Sequence, residues 1–198
     1  MSDSLNLDSY VKALIPNPYH ILGVKLLPFS LGHYFLMRRF NCGFSCESID
    51  KNGGFEDILL AVSICSRRYE QFIEWINDEQ EFMSWSKEWG TEVLKAVKDN
   101  KLNCIIELNR FKTYMKDSIM VPKFWNNDEE DSKTSGAHWT QNVYTVLISK
   151  LGYTAEQAMN IPLSQALFDY YKYLENEGVI TFMADWELEQ WKESEKIK

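Results

Sequence analysis

The stretch from His138 to Asp185 constrains the fold most, because it carries helix periodicity, stop signals and restart signals in close succession. Trp139, Val143, Val146, Leu147 and the run Ile148 to Leu151 recur at roughly helical spacing, and Gly152 follows where a left-handed C-terminal cap is wanted. Thr154, with Gln157 three residues on, has the form of a capping box that satisfies the exposed amides of a new first turn. Asn160-Ile161-Pro162 stops that second helix, since proline lacks a donor and biases the preceding residue away from helical angles. From Leu163 a third helix follows, with Leu167, Tyr170, Tyr171 and Leu174 as its apolar and aromatic stripe until Gly178. Helices this short are not stable in isolation, so their stripes must pack on one another or on the rest of the chain.

Composition extends this to the whole sequence of 198 residues. With 45% hydrophobic and 14% aromatic residues, the chain can bury a substantial core. Only 9 glycines and 5 prolines, beside many helix formers, favour helices over short strands. The expected fold is all-α, a multi-helix bundle with a C-terminal three-helix module. The acidic, polar segment NNDEEDSKTSG marks the one internal boundary. It divides a helical body, residues 1–125, from an acidic linker or loop, 126–136, and a C-terminal helical module, 137–198.

Along the body, residues up to about Asn17 form either a short amphipathic helix or an arm that docks on the rest. Gly23 with Val24-Lys25-Leu26 suggests a short extended piece or turn, and Ser30 is placed to cap a largely apolar helix through Leu31, Tyr34, Phe35, Leu36 and Phe40. Asn41 to Phe55 reads as a loop. One long helix is expected over Ile58 to Ile76, a second over Glu81 to Lys98 with a break admitted at Gly90, and a third over Leu102 to Met115. Val179 to Met183 fits a strand or a helix continuation, and the charged tail from Asp185 reads as helical.

Chemistry is sparse. Cys42-x3-Cys46 beside His33 is the best metal pattern, but zinc needs four ligands and Cys65, Cys104 and His138 are unpaired in sequence, so ordinary thiols are the expectation and no metal or cofactor is assigned. His33, His20 and His138 are conceivable bases and Cys42 or Cys46 a conceivable nucleophile, which keeps a small helical enzyme or zinc-binding domain built on His33 and the cysteines as the alternative. Gly-x-Ser-x-Gly, a glycine-rich phosphate loop and His-Glu-x-x-His are all absent, and no catalytic residue is assigned.

A formal charge of −8 argues against general attraction to nucleic acid or an anionic membrane. The helix-turn-helix reading of Thr154 to Glu177 fails on the same ground, because Trp139 to Gly178 sets Lys150 and Lys172 against Glu156, Asp169, Glu175 and Glu177. Arg38-Arg39 and Arg67-Arg68 are expected to be solvated or salt-bridged helix ends. A polar, acidic start without signal-peptide layout and the lack of a membrane-length apolar run point to a cytoplasm, bacterial or that of an infected host, with reduced thiols.

Seven tryptophans and ten tyrosines exceed what one small helical core readily hides, and such residues anchor protein interfaces. The expected partner-binding residues are Tyr170, Tyr171, Leu174 and Trp186, with Tyr173 and Trp191 beside them; the competing reading is plain inter-helix packing. GVKLLPFSLGHYFLMRRF, a Gly-x-x-Leu-x-Pro-Phe-Ser-Leu-Gly-His pattern, resembles a stretch of uncharacterised prophage proteins. LISKLGYTAEQAMNIPLSQALFDYY is similar in style to the ends of phage tail assembly chaperones, and the two segments cover roughly a quarter of the chain. The resemblance implies a small, acidic, mostly helical cytoplasmic protein without catalytic residues. It would bind the long, aggregation-prone tape-measure protein and help recruit tail-tube subunits. The cysteines and the tryptophan content depart from that pattern.

Overall fold

The computed structural model describes residues 5–45, 54–127 and 136–196. In chain order the elements are α1 (Leu5–Leu14), β1 (Tyr19–Ile21), β2 (Val24–Leu26), α2 (Leu31–Arg39), a 3-10 turn (Gly43–Ser45), α3 (Phe55–Cys65), α4 (Tyr69–Asn77), α5 (Glu79–Lys98), α6 (Cys104–Ser118), β3 (Phe124–Asn126), α7 (Trp139–Ser149), α8 (Ala155–Asn160), α9 (Leu163–Asn176), β4 (Ile180–Phe182) and α10 (Asp185–Lys196). The fold is mostly helical, as expected, with two small antiparallel strand pairs, β1 with β2 and β3 with β4. Among the described residues no helix is long and apolar enough to cross a membrane.

The chain forms two compact units, and they do not follow the expected division. One comprises residues 17–118; the other joins residues 1–16 to 119–198. Two pairings explain the second unit. α1 packs on α9, where Tyr10 meets Phe168 at 5.5 Å between ring centroids and the Ser164 hydroxyl donates to the Ala13 carbonyl at 3.2 Å. β3 pairs with β4 in the register Phe124↔Phe182, Trp125↔Thr181, Asn126↔Ile180. Of the acidic stretch 126–136, residues 128–135 lie outside the described residues; Asn126 is in β3, and the Asn127 amide donates to the Val179 carbonyl at 3.0 Å.

In the unit of residues 17–118, β1 and β2 form a hairpin across Leu22-Gly23, with φ of 51° and 78° at the two turn residues. Such left-handed pairs match the twist of the strands they join. Ser30 caps α2 as expected, accepting from the His33 amide at 3.3 Å. The single helix expected over 58–76 is instead α3 and α4, broken at Ser66 to Arg68. The Cys65 carbonyl accepts from the Leu27 amide at 2.8 Å, the Ser66 hydroxyl turns back to the Ser63 carbonyl, and the Gln71 side chain caps the Arg68 amide, so the backbone at the break is satisfied without helical continuation. α5 runs through Gly90 without interruption, because no added side chain is needed there and a lone glycine costs a helix only about 1 kcal/mol. Phe29, Leu31, Leu36, Met37, Phe44, Ile58, Ile64, Phe72, Phe111 and Met115 form the buried centre.

In the other unit the expected three helices are α7, α8 and α9. Gly152 has φ of 76°, and the Tyr153 amide reaches back to the Leu147 carbonyl at 3.0 Å to close α7. The capping box at Thr154 is complete: the Gln157 amide donates to its hydroxyl at 3.1 Å, and its own amide donates to the Gln157 side chain at 2.9 Å. Ile161, before Pro162, is extended at φ −64°, ψ 152°. Leu147, Ala158, Leu163, Ala166 and Leu167 are buried between these helices.

Candidate functional site

The residues expected to bind a partner fall in two groups within the unit of residues 1–16 and 119–198. Tyr170 and Tyr171 are half-buried on α9, 5.4 Å apart between ring centroids, and Tyr171 packs on Phe124 of β3 at 4.7 Å. Burial raises the pKa of both phenols, so they remain neutral. Leu174 is also half-buried, one residue before Glu175, which pairs with Lys172 and accepts from the Phe182 amide at 3.1 Å. Of these three side chains, Tyr171 packs against β3.

Trp186 is different, being 61% exposed at the start of α10. Its neighbour Glu187 accepts a hydrogen bond from the Trp125 indole at 3.1 Å, and Trp125 on β3 is itself 49% exposed. Two open indoles are thus tied to one turn of helix. The Lys123 ammonium sits 4.0 Å from the Trp191 ring centroid and adds a cation–π contact on the same elements. Trp125 was not foreseen in the sequence, where it ends an apolar remnant, Val121 to Trp125, before the acidic run; a tryptophan beside a polar segment is the signal that marks it.

No family model, curated protein or solved structure matches this chain. What the side chains can do rests on their geometry alone.

The alternative catalytic or metal residues form no group of three among the described residues. His33 is buried, and its ring is committed at both ends: Nδ1 accepts from the Ser30 amide at 3.2 Å, so the proton is on Nε2, which donates to the Arg67 carbonyl at 2.7 Å. Burial lowers its pKa to about 4, outweighing the Arg67 and Pro28 carbonyls, which favour the charged ring. Cys42 and Cys65 are buried, the Cys42 thiol lies 3.5 Å from the Asp57 carbonyl, and burial pushes the Cys65 thiol upward. Cys104 is half-buried, Cys46 lies outside the described residues, and His138 caps α7 through Nδ1. Among the described residues, no three His, Cys, Asp or Glu side chains converge as a metal site.

The other unit holds an aromatic cluster that sequence periodicity only partly revealed. Trp75 of α4 meets Phe82 at 4.9 Å and Trp85 at 4.7 Å, both edge-on, and Trp85 stacks on Trp89 at 4.8 Å. Arg67 is not a solvated helix end. Its guanidinium carbon lies 3.8 Å from the Trp75 ring centroid and 4.9 Å from that of Trp85. Burial lowers its pKa, opposed by the charge of Glu81. Arg67, Gln71, Glu74, Trp75, Asp78 and Glu81 line a surface pocket of about 480 Å³.

Proposed function

We propose that this chain is a non-enzymatic protein-binding protein that holds an apolar or helical segment of its partner against the Trp125 and Trp186 indoles. The observation that carries this reading is the exposure of those two tryptophans, 49% and 61%, on β3 and α10, joined through Glu187. Large indoles left open to water gain on desolvation and are the residues whose truncation most weakens protein interfaces. The resemblance to tail assembly chaperones supplies the partner: a phage tape-measure protein, long and prone to aggregate, with tail-tube subunits as further clients.

Co-expression with a tape-measure fragment from the same genome tests both levels. Raised solubility of the fragment, lost on combined Trp125→Ala and Trp186→Ala substitution with folding intact, is the expected result. An unchanged effect of the double variant removes the tryptophan face. Failure of the native protein to raise fragment solubility removes the tape-measure assignment.

A further inference from the structure

The two edges of the β3–β4 pair differ. The Lys123 carbonyl accepts from the Met183 amide and the Asn127 amide donates to the Val179 carbonyl, each at 3.0 Å, which fixes the alternation of the ladder. With Trp125 opposite Thr181, residues 123, 125 and 127 turn their backbone groups to β4, and Phe124 and Asn126 turn theirs outward. On β4 the outward amide of Phe182 donates to the Glu175 carboxylate at 3.1 Å, so that edge is covered. On β3 the outward groups of Phe124 and Asn126 meet no hydrogen-bond partner among the described residues, and Trp125 between them is 49% exposed. Pro122, the preceding outward position, has no amide and ends the open edge on that side. An open ladder edge of this kind is matched by an extended backbone.

We infer that the occupant is β3 of a second copy of this chain, running antiparallel and centred on Trp125. The edge is its own complement: Phe124 lies opposite the partner's Asn126, and Asn126 opposite the partner's Phe124, so the outward amides and carbonyls of both copies are all paired. Trp125 then faces the partner's Trp125 at a non-hydrogen-bonded position, where opposed side chains come closest and aromatic pairs interact directly. Alternation along β3 puts Phe124 on the α9 side, against Tyr171, and Trp125 on the other, against Glu187, so both indoles come to one side of the joined sheet. The sheet ends at four strands, in the order β4, β3, β3, β4, because Glu175 covers the outer edge of each β4; the assembly is a closed two-fold dimer and not a fibre. An unrelated strand would have to supply both the matching edge and an aromatic partner for Trp125, and a second copy brings both. The pairing goes beyond the proposed partner binding, since the β3 backbone carries it and Trp186 stays open in each copy.

Sedimentation equilibrium of the full chain, with no other protein present, tests this together with hydrogen exchange at the Phe124 and Asn126 amides. A contact this small predicts a weak dimer, populated at about 0.1–1 mM protein, and protection of both amides that rises with concentration. Asn126→Pro removes an outward amide and leaves the bonds to β4 in place, because proline is accepted at such edge positions; it should weaken association about tenfold or more. Asn126→Ala keeps the amide and should associate within about twofold of the parent. Circular dichroism establishes that both variants are folded; should Asn126→Pro unfold, the concentration dependence of amide protection in the parent decides alone. A parent still monomeric at about 1 mM, a dimer in which the Phe124 and Asn126 amides gain no protection, or a folded Asn126→Pro that associates like the parent would overturn the inference. Client binding is read separately by co-expression, so the two readings fail independently.

Discussion

The backbone amide of Leu22 donates to the Glu107 carboxylate at 2.7 Å, joining a hairpin turn to a helix 85 residues away. Leu22 has φ of 51°, a region that costs a residue with a Cβ about 1 kcal/mol, and two-residue turns of this kind favour asparagine and glycine. Leucine is retained there because its side chain is buried and its amide meets a charge, which Arg110 also binds at 2.8 Å. Glu107→Ala strands that buried amide and should destabilise the unit by about 2 kcal/mol; Glu107→Gln keeps an acceptor and should cost about half as much. Denaturant unfolding with hydrogen exchange at the Leu22 amide measures both. An alanine variant with unchanged Leu22 protection would show that the carboxylate does not hold the turn.

His33 makes stability depend on pH. Its pKa falls from 6.5 to about 4 on folding because burial penalises the charged ring. Between those values the unfolded chain binds the proton and the folded chain does not, so stability rises with pH across that window. The group costs nothing above about pH 6.5, and its cost grows to roughly 3 kcal/mol by pH 4. His33→Asn should lower stability at pH 7, through the lost bond to the Arg67 carbonyl, yet flatten the pH profile between 6.5 and 4 relative to the parent. Parallel profiles would mean that His33 is protonated in the native state.

Legibility of these features in the sequence followed the range of the interactions. The caps at Ser30 and Thr154, and the left-handed Gly152, were readable because each acts within a few residues. The break between α3 and α4 was not, because no proline or glycine marks it: the Leu27 amide takes up the Cys65 carbonyl across 38 residues, and no periodicity encodes that. The same holds for the sites. Trp186 could be named from the excess of aromatic residues, whereas Trp125 meets its neighbour Glu187 only through a contact 62 residues apart in the chain. Arg67 was misplaced because adjacent arginines look alike in sequence; only the turn at residues 66–68 sends one of them onto Trp75 while Arg68 stays exposed.

Gly90 and Gly152 should respond oppositely to alanine. At both positions an added Cβ meets no atom within 4 Å, so packing does not decide the outcome. Gly90 lies inside α5, where alanine narrows the unfolded ensemble and should stabilise by about 0.5–1 kcal/mol. Gly152 has φ of 76°, where alanine should cost about 1–2 kcal/mol. Thermal unfolding of the two single variants checks this. A shift of the same sign in both would mean that one of the backbone conformations is other than described.

The Tyr153 hydroxyl donates to Asp169 at 2.7 Å, a contact between the segment after α7 and the middle of α9. Burial raises the pKa of Asp169, and the Tyr153 bond opposes that rise by favouring the carboxylate. Burial and the adjacent carboxylate together raise Tyr153 to about 12. Tyr153→Phe should therefore cost about 1 kcal/mol at pH 7 and move the Asp169 titration further upward, since only the desolvation remains. Because the folded phenol titrates above the unfolded value of 10, its contribution is complete below pH 10 and is lost as pH rises towards 12, a loss the phenylalanine variant should not share. Asp169→Asn keeps an acceptor for the phenol without a charge to desolvate and should leave stability at pH 7 within about 0.5 kcal/mol of the parent. Carbon-13 titration of the Asp169 carboxyl in the parent and Tyr153→Phe proteins decides the matter: an unchanged midpoint would mean that the phenol does not bond the carboxylate in solution.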